Sequence, residues 1–467
     1  MPLLRLIAEG VGPFERLDID LSDGKGNPHL GPHIFAGVNG SGKSTVLRAL
    51  ACVLSGRDSG FPYEEWGHLL TGYSRSRVLT IVQPPGAPPR IRGWARDNGE
   101  ISDEFISWVT SALPDTAGRR VIETSSPWLP QRDERPGVWL LYPLSAEIDR
   151  ATPRFSIAAY SPTRALRHIA SPDMTKTLAD GGQDSLAFES TVQNESIQAW
   201  LLSLYSRRAI ARERHQSGEE YTRSLGRFEK ALQLIYGESV SFEVEIEPTF
   251  QPRLKVMGRS LNFSQLPDGV RSTVAWIADF MMRQDLFKWD PRLNGKRPGI
   301  LLLDEVDAHL HPLWQRRLLP ASREVLPDVQ ILVTSHLPFV ISSCPNSRVH
   351  VLELDQDGHA HARPPVDSPI GESVTTTLKE IFDVDSRFDV LTEKQLDEWN
   401  TLKKREATSS LSAADKSRLK KLTETLAERS EELRSIVASP LTIPQSVLRS
   451  LTAAGTKPQQ IKRKKRA

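Results

Sequence analysis

Residues 37–44 read Gly-Val-Asn-Gly-Ser-Gly-Lys-Ser, which satisfies the spacing G-x-x-x-x-G-K-[ST]. An apolar stretch around His33–Ala36 precedes this run. The residues after it, Thr45 to Leu54, carry apolar side chains at helical spacing and are stopped by Gly56. Strand, glycine loop and helix in this order commit the start of the chain to an α/β arrangement with the loop at the carboxyl edge of a sheet. The residue types also set the chemistry. Gly37, Asn39, Gly40, Ser41 and Gly42 let the main chain wrap an anion with its N–H groups inward, and the helix N-terminus at Lys43–Thr45 adds a favourable dipole. Lys43 is expected to reach β- and γ-phosphates, and the Ser44 hydroxyl to ligate Mg²⁺.

A second half-site lies far downstream. Ile300-Leu-Leu-Leu is a buried-strand run ending in Asp304 and Glu305. A parallel strand would carry both acids to the edge where ligands bind. Asp304 then holds Mg²⁺ through water, and Glu305 polarises the attacking water. Gln330-Ile-Leu-Val-Thr-Ser-His336 repeats the pattern, a buried strand with a histidine at its end. Between them, His309 and His311 are two apart with no third ligand nearby, so a loop is expected there, with Pro312 opening the next helix.

Phe263-Ser-Gln-Leu266-Pro-Asp268-Gly269-Val-Arg-Ser272 fits a signature loop before a helix. With the phosphate loop, the Asp-Glu strand and the histidine, in this order, the chain resembles the ABC-type ATPases of the RecF, SMC and OLD group over roughly residues 1–360. The stretch DEVDAHLHP is similar to the DEPExxLHP form of the AAA-labelled branch. More narrowly, FSQLPDGVRSTVAWIADFMMR and AAYSPTR resemble the ATPase subunit of the Septu anti-phage system and of retron-associated defence operons. The resemblance implies ATP and Mg²⁺ as cofactors. It makes His336 a switch residue facing the γ-phosphate, and has Leu266, Asp268, Gly269 and Ser272 meet the nucleotide of a second copy. Pro267 stands where serine is usual, so no hydroxyl comes from that position. Tyr160-Ser-Pro-Thr-Arg164 occupies the place of the glutamine loop without a glutamine.

The expected fold is an α/β P-loop NTPase with an ABC-type head over residues 1–365. It carries a β-rich insertion at 60–150 and a helical lid at 165–260 leading to the signature loop. Ile197, Trp200, Leu201 and Leu204 mark the lid's first helix, and Leu225, Phe228, Leu232 and Ile235 its second. A helical partner-binding region at 366–455 and a flexible basic tail at 456–467 follow. In the helical region, Leu419, Leu422, Leu426 and Leu433 share one face behind a capping box at Ser412 and Asp415. That face is expected to dock a partner or to pack within the chain.

Composition supports a folded protein in a reducing compartment. Charged residues make up 25%, the net charge is +2, and the two cysteines, Cys52 and Cys344, cannot form a disulfide framework. No apolar run reaches the ~18–20 residues of a membrane span, so no membrane role and a cytoplasmic location are expected. The main functional expectation is an ATP-hydrolysing regulatory subunit of an anti-phage complex. It would form a homodimer or higher homo-oligomer through shared ATP sites and control a separate nuclease of the HNH type. The alternative is a RecF-like DNA-binding ATPase in repair, with DNA or RNA contact through Arg207, Arg208, Arg212 and Arg214. A third is a fused OLD-type nuclease built on Glu353, Asp383 and Asp385.

Overall fold

The computed structural model describes residues 2–54, 73, 76–83, 90–96, 131–132, 138–141, 155–169, 172–173, 178, 181–287, 289, 291–384, 388–408 and 410–438. Gly56, Asp385 and the basic tail lie outside the described residues. The chain divides into two compact units, Met1–Asp383 and Val384–Ala467.

In the first unit, the alternating apolar residues at the start form β1 (Leu3–Val11) and β2 (Phe14–Asp20), paired antiparallel. The fully buried β3 (His33–Gly37) runs into the phosphate loop, and α1 (Lys43–Leu54) leaves it. Then come β4 (Ser76–Val82), β5 (Arg90–Arg96), β6 (Gln131–Arg132) and β7 (Val138–Leu141), in an antiparallel sheet of order β2-β1-β4-β5-β7-β6. The described strands of the β-rich stretch expected at 60–150 thus belong to the N-terminal sheet. Every residue of β4 is buried, and it pairs with β1, so these strands extend the N-terminal sheet.

After β8 (Ser156–Tyr160) come α2 (Asn194–Glu213) and α3 (Glu219–Tyr236), the two expected lid helices. The lid is not helical to its end. Val240–Glu245 (β9), Gln251–Val256 (β10) and Arg259–Leu261 (β11) form a small antiparallel sheet before α4 (Asp268–Leu286). β12 (Gly299–Leu303), α5 (Pro312–Val325), β13 (Val329–Thr334), the single turn α6 (Pro338–Ile341) and β14 (Arg348–Leu354) complete the core.

The second sheet runs β14-β3-β13-β12-β8, all parallel, with β15 (Ala360–Ala362) and β16 (Val366–Asp367) antiparallel on β14. Its strands alternate strictly between two cores. Phe35, Ile300, Leu302 and Leu332 pack with α1 and the antiparallel sheet, while Ile34, Leu301, Leu303, Ile331 and Val333 pack with α2–α5. A parallel sheet covered on both faces reads as near-continuous apolar runs, as in β12 and in Ile331–Val333 of β13. α7 (Val374–Phe382) adds Ile381 to the helical-side core, so the unit extends to Asp383 and past residue 365.

The second unit holds α8 (Val390–Thr408), α9 (Ala413–Arg429) and α10 (Glu431–Ala438). Of the two readings of its leucines, packing within the chain is the one observed. Leu419, Leu422, Leu426 and Leu433 are buried together with Leu396, Trp399, Leu402 and Val437 as this unit's own core. Ser412 caps α9 by accepting from the Asp415 N–H at 3.1 Å. The Asp415 carboxylate returns to the Ser412 hydroxyl, at 2.8 Å, rather than to its N–H.

Candidate nucleotide site

The phosphate loop takes its shape from its glycines. Gly42 has φ +87, and a Cβ there would lie 2.5 Å from the Phe14 ring at the start of β2. Gly40, at φ +83, opens to free space, and Val38, Asn39 and Gly40 are exposed. Lys43 folds back over the loop and donates to the carbonyls of Gly37 and Val38, each at 2.9 Å. Burial lowers its pKa below the ordinary lysine value, while Asp304, Glu305 and Asp307 pull it back up. The buried Ser41 hydroxyl has no partner. Thr45 sits against Gly12, where a Cβ would approach to 2.7 Å.

Strand order brings the acids to this loop. β13 lies between β3 and β12, so its end separates loop from acids. Ser44 donates to Asp304 Oδ1 at 2.9 Å, and Thr334 donates to the same oxygen at 2.6 Å. Glu305 follows with φ +42 and an exposed side chain. His336 is exposed after Ser335, whose hydroxyl donates to buried Asp307. Burial raises the Asp307 pKa, and the Ser335 hydrogen bond and the nearby His336 oppose it.

Four partners in this site go beyond the residues expected from sequence. Thr334 and Ser335 are polar residues closing an otherwise apolar strand, a signal that the sequence does carry. Asp307 lies inside the DEVDAHLHP stretch. Arg164, in the segment after β8, is 2% exposed and donates to the carbonyls of Asp304 at 2.6 Å and Glu305 at 3.1 Å.

The signature residues sit elsewhere. α4 starts after Pro267, and the Gly269 position is pressed against the loop following β12, where a Cβ would lie 2.3 Å from the His309 carbonyl. Leu266 and Ser272 are 4% and 5% exposed, so of the four expected nucleotide contacts only Asp268 meets solvent. The Ser272 side chain is thus corrected from an outward contact to an interior one, because α4 is buried on nearly every side. His309 and His311 do form a loop. His311 caps α5, and no cluster of three or more His, Cys, Asp or Glu side chains among the described residues is placed to hold a metal.

The donor set fits a Mg²⁺-nucleotide. Ser44 and Asp304 offer hard oxygen ligands, in keeping with a cation that takes one or two protein ligands plus phosphate oxygens. The unpartnered Ser41 hydroxyl and the open Gly40 position leave polar space at the loop.

Residues 196–342 match the family described as AAA domain, putative AbiEii toxin, Type IV TA system. A Septu protein PtuA from Bacillus thuringiensis is 28% identical over 131 residues, covering 28% of this chain and 33% of that protein. A retron Ec83 probable ATPase from Escherichia coli is 33% identical over 97 residues, covering 21% and 18%. The chain thus spans a third or less of the length of these relatives. In structure it is similar to the SMC head domain from Thermotoga maritima, with a TM-score of 0.40 and 15% identity over 78% of this chain and 99% of that one. The chain has an α/β P-loop NTPase-like fold, matches that AAA-domain family over residues 196–342, and is similar in sequence to a Septu protein PtuA and a retron probable ATPase over part of their length.

Proposed function

We propose that this chain binds ATP with Mg²⁺ and hydrolyses it to ADP and phosphate, as the ATPase of an anti-phage defence assembly. The observation that carries the reading is the Ser44–Asp304–Thr334 cluster beside Lys43, four side chains from three strand ends meeting at one loop. In this reading the loop amides and the Lys43 ammonium hold the β- and γ-phosphates. Ser44 and Asp304 would hold Mg²⁺, which when bound would neutralise phosphate charge. Glu305 accepts a proton from water as its oxygen bonds to the γ-phosphorus and the bond to the β-phosphate oxygen breaks. His336 and Asp268 face the γ-phosphate, His336 from the same copy and Asp268 from a second one. ATP binding then drives self-association, and turnover controls a separate HNH-type nuclease. The names of the Septu and retron relatives support the ATPase and the defence setting.

Release of phosphate from ATP by the purified chain, with and without Mg²⁺, tests the core of the reading. No Mg²⁺-dependent release would remove it.

A second reading is a DNA-binding ATPase of the RecF kind. It is favoured by a cavity of about 610 Å³ at the α2–α3 turn, lined by Arg208, Arg212, His215 and Arg223. Salt-sensitive DNA binding weakened by Arg212→Ala and Arg223→Ala would support it.

A further inference from the structure

We propose that Arg164 is the positioning residue of Glu305, and that Tyr160–Arg164 ties the acid pair to α4 in place of a glutamine loop. The proposal rests on the ATPase reading above.

Glu305 has φ +42, a left-handed backbone that a non-glycine residue keeps only where its surroundings hold it. One side of the hold is ordinary sheet-edge bonding. The Asp304 N–H donates to the Tyr160 carbonyl at 3.0 Å, and the Val306 N–H to the Thr334 carbonyl at 3.1 Å. The Glu305 N–H donates to the Thr334 hydroxyl at 2.7 Å. On the other side the Ala308 N–H donates to the Glu305 carbonyl at 3.1 Å, and the only side chain among the described donors is Arg164. Its guanidinium donates to the carbonyls of Ser161 at 2.7 Å, Asp304 at 2.6 Å and Glu305 at 3.1 Å. All three acceptors are main-chain oxygens, so this buried cation orients the backbone carrying the carboxylates. A planar fork can reach three such oxygens at fixed angles, and a lysine ammonium cannot reproduce that geometry.

The same segment is fastened to α4. Tyr160 pairs in register with Leu303, the residue before Asp304. Its hydroxyl donates to Asp279 Oδ2 on α4 at 2.7 Å. Asp279 also accepts from Arg283 at 2.6 Å and from the Gln193 N–H at 3.1 Å, and the Asp279 and Arg283 side chains are at most 1% exposed. Further on, the His168 N–H donates to the Ser264 hydroxyl at 2.8 Å, just ahead of α4. A shift of α4 is therefore passed through the buried Tyr160–Asp279 hydrogen bond, and through the exposed His168–Ser264 one, to the segment that holds Glu305. A glutamine loop would make such a link through one side chain; here it is built from Tyr160 at one end and Arg164 at the other.

ATP turnover by the full chain tests this in Arg164→Ala, Arg164→Lys, Glu305→Gln and the double variant Arg164→Ala/Glu305→Gln. Affinity for a non-hydrolysable ATP analogue and the thermal transition are measured on each. Both Arg164 variants should lose about 10²-fold in kcat, since a small misplacement of a reacting group costs that much, with analogue affinity little changed. Free guanidinium should restore much of the loss in Arg164→Ala and none in Glu305→Gln. The double variant should be no slower than Glu305→Gln, because both changes act on one group. Additive losses, or turnover and affinity falling together without rescue, would assign Arg164 to the fold alone and overturn the proposal. Should Arg164→Ala lose its folded transition, Arg164→Lys, which keeps charge and most of the stem, decides on the kcat and affinity readings. A wild-type chain with no turnover removes the ATPase reading and this proposal with it, whereas normal wild-type turnover with an unaffected Arg164→Lys removes this proposal only.

Discussion

Ser44 and Asp304 stand 260 positions apart and meet at 2.9 Å, hydroxyl to carboxylate. The parallel sheet makes the contact. β3 delivers the loop, β12 delivers the acid, and β13 between them contributes Thr334 to the same carboxylate oxygen at 2.6 Å. Asp304 is 3% exposed, so its charge needs these donors or a cation.

Lys43→Ala should weaken ATP binding by about 10–10²-fold, the worth of one charge-assisted hydrogen bond to a phosphate oxygen. Equilibrium binding of a labelled ATP analogue measures it. Unchanged affinity would remove the phosphate-loop assignment.

Glu305→Gln should keep that affinity and hydrolyse ATP ~10²–10⁴-fold more slowly, because the amide preserves shape and cannot take the proton. The trapped state should also self-associate more strongly with ATP, read by sedimentation. Turnover near wild type would mean that another group is the base.

At the start of α4 the interior and exterior positions separate. Gly269→Ala should destabilise the chain by about 1–3 kcal/mol, since its Cβ would meet the His309 carbonyl at 2.3 Å. Asp268 is exposed, and Asp268→Trp should leave the thermal transition and ATP affinity alone while abolishing ATP-dependent self-association. Normal ATP-driven assembly of Asp268→Trp would rule out a nucleotide shared across this helix end.

The phosphate loop and the acid strand are legible in the sequence because each is a local pattern with its own physical requirement: glycines, a lysine and a hydroxyl before a helix, or an apolar run ending in carboxylates. What joins them is not. Arg164 serves main-chain carbonyls 140 and 141 positions away, and no local pattern announces such a bond. The antiparallel pairing of β4 with β1 is hidden for the same reason: both strands are visible, but their register is a long-range property. The leucines of α9 stand out as an apolar face. Its cover, Leu396 and Trp399 from α8, cannot be assigned from periodicity, which gives a face and no partner.

At the opposite edge of the parallel sheet, His33 Nδ1 and His350 Nε2 share a hydrogen bond at 3.0 Å with both rings buried. Burial holds both well below the ordinary histidine pKa, His350 at about 3, with Arg348 and His29 adding to the effect on each and Asp20 opposing it at His350. A depressed folded pKa means that the neutral pair contributes fully above the unfolded value near 6.5. The contribution is then lost as pH falls toward 3. The denaturant midpoint should therefore drop between pH 8 and pH 5.5 by an amount equivalent to roughly 3 kcal/mol for the two rings together. His350→Gln should reduce that slope. Equal midpoints at both pH values would mean that the pair is not held neutral.

The fused-nuclease alternative makes the opposite prediction to the one favoured here about DNA. Two of its acids do converge: Glu353 and Asp383 both accept from Arg363, with His361 3.4 Å from Glu353. A guanidinium thus sits where a metal would have to, and its charge already satisfies both carboxylates. Glu353 is spoken for by its neighbours on β14 and β15, and no metal-holding cluster of three or more His, Cys, Asp or Glu side chains occurs among the described residues. Nuclease chemistry needs a cation held close to a scissile phosphate, and a site filled by arginine repels one. The purified chain should accordingly turn over ATP and leave single- and double-stranded DNA intact with Mg²⁺ or Mn²⁺. Arg363→Ala should not create cleavage either, since Glu353 on β14 and Asp383 after α7 are two carboxylates with no metal-holding cluster around them among the described residues. Metal-dependent cleavage by the isolated chain, lost on Glu353→Gln, would place the nuclease in this polypeptide and remove the need for a separate effector.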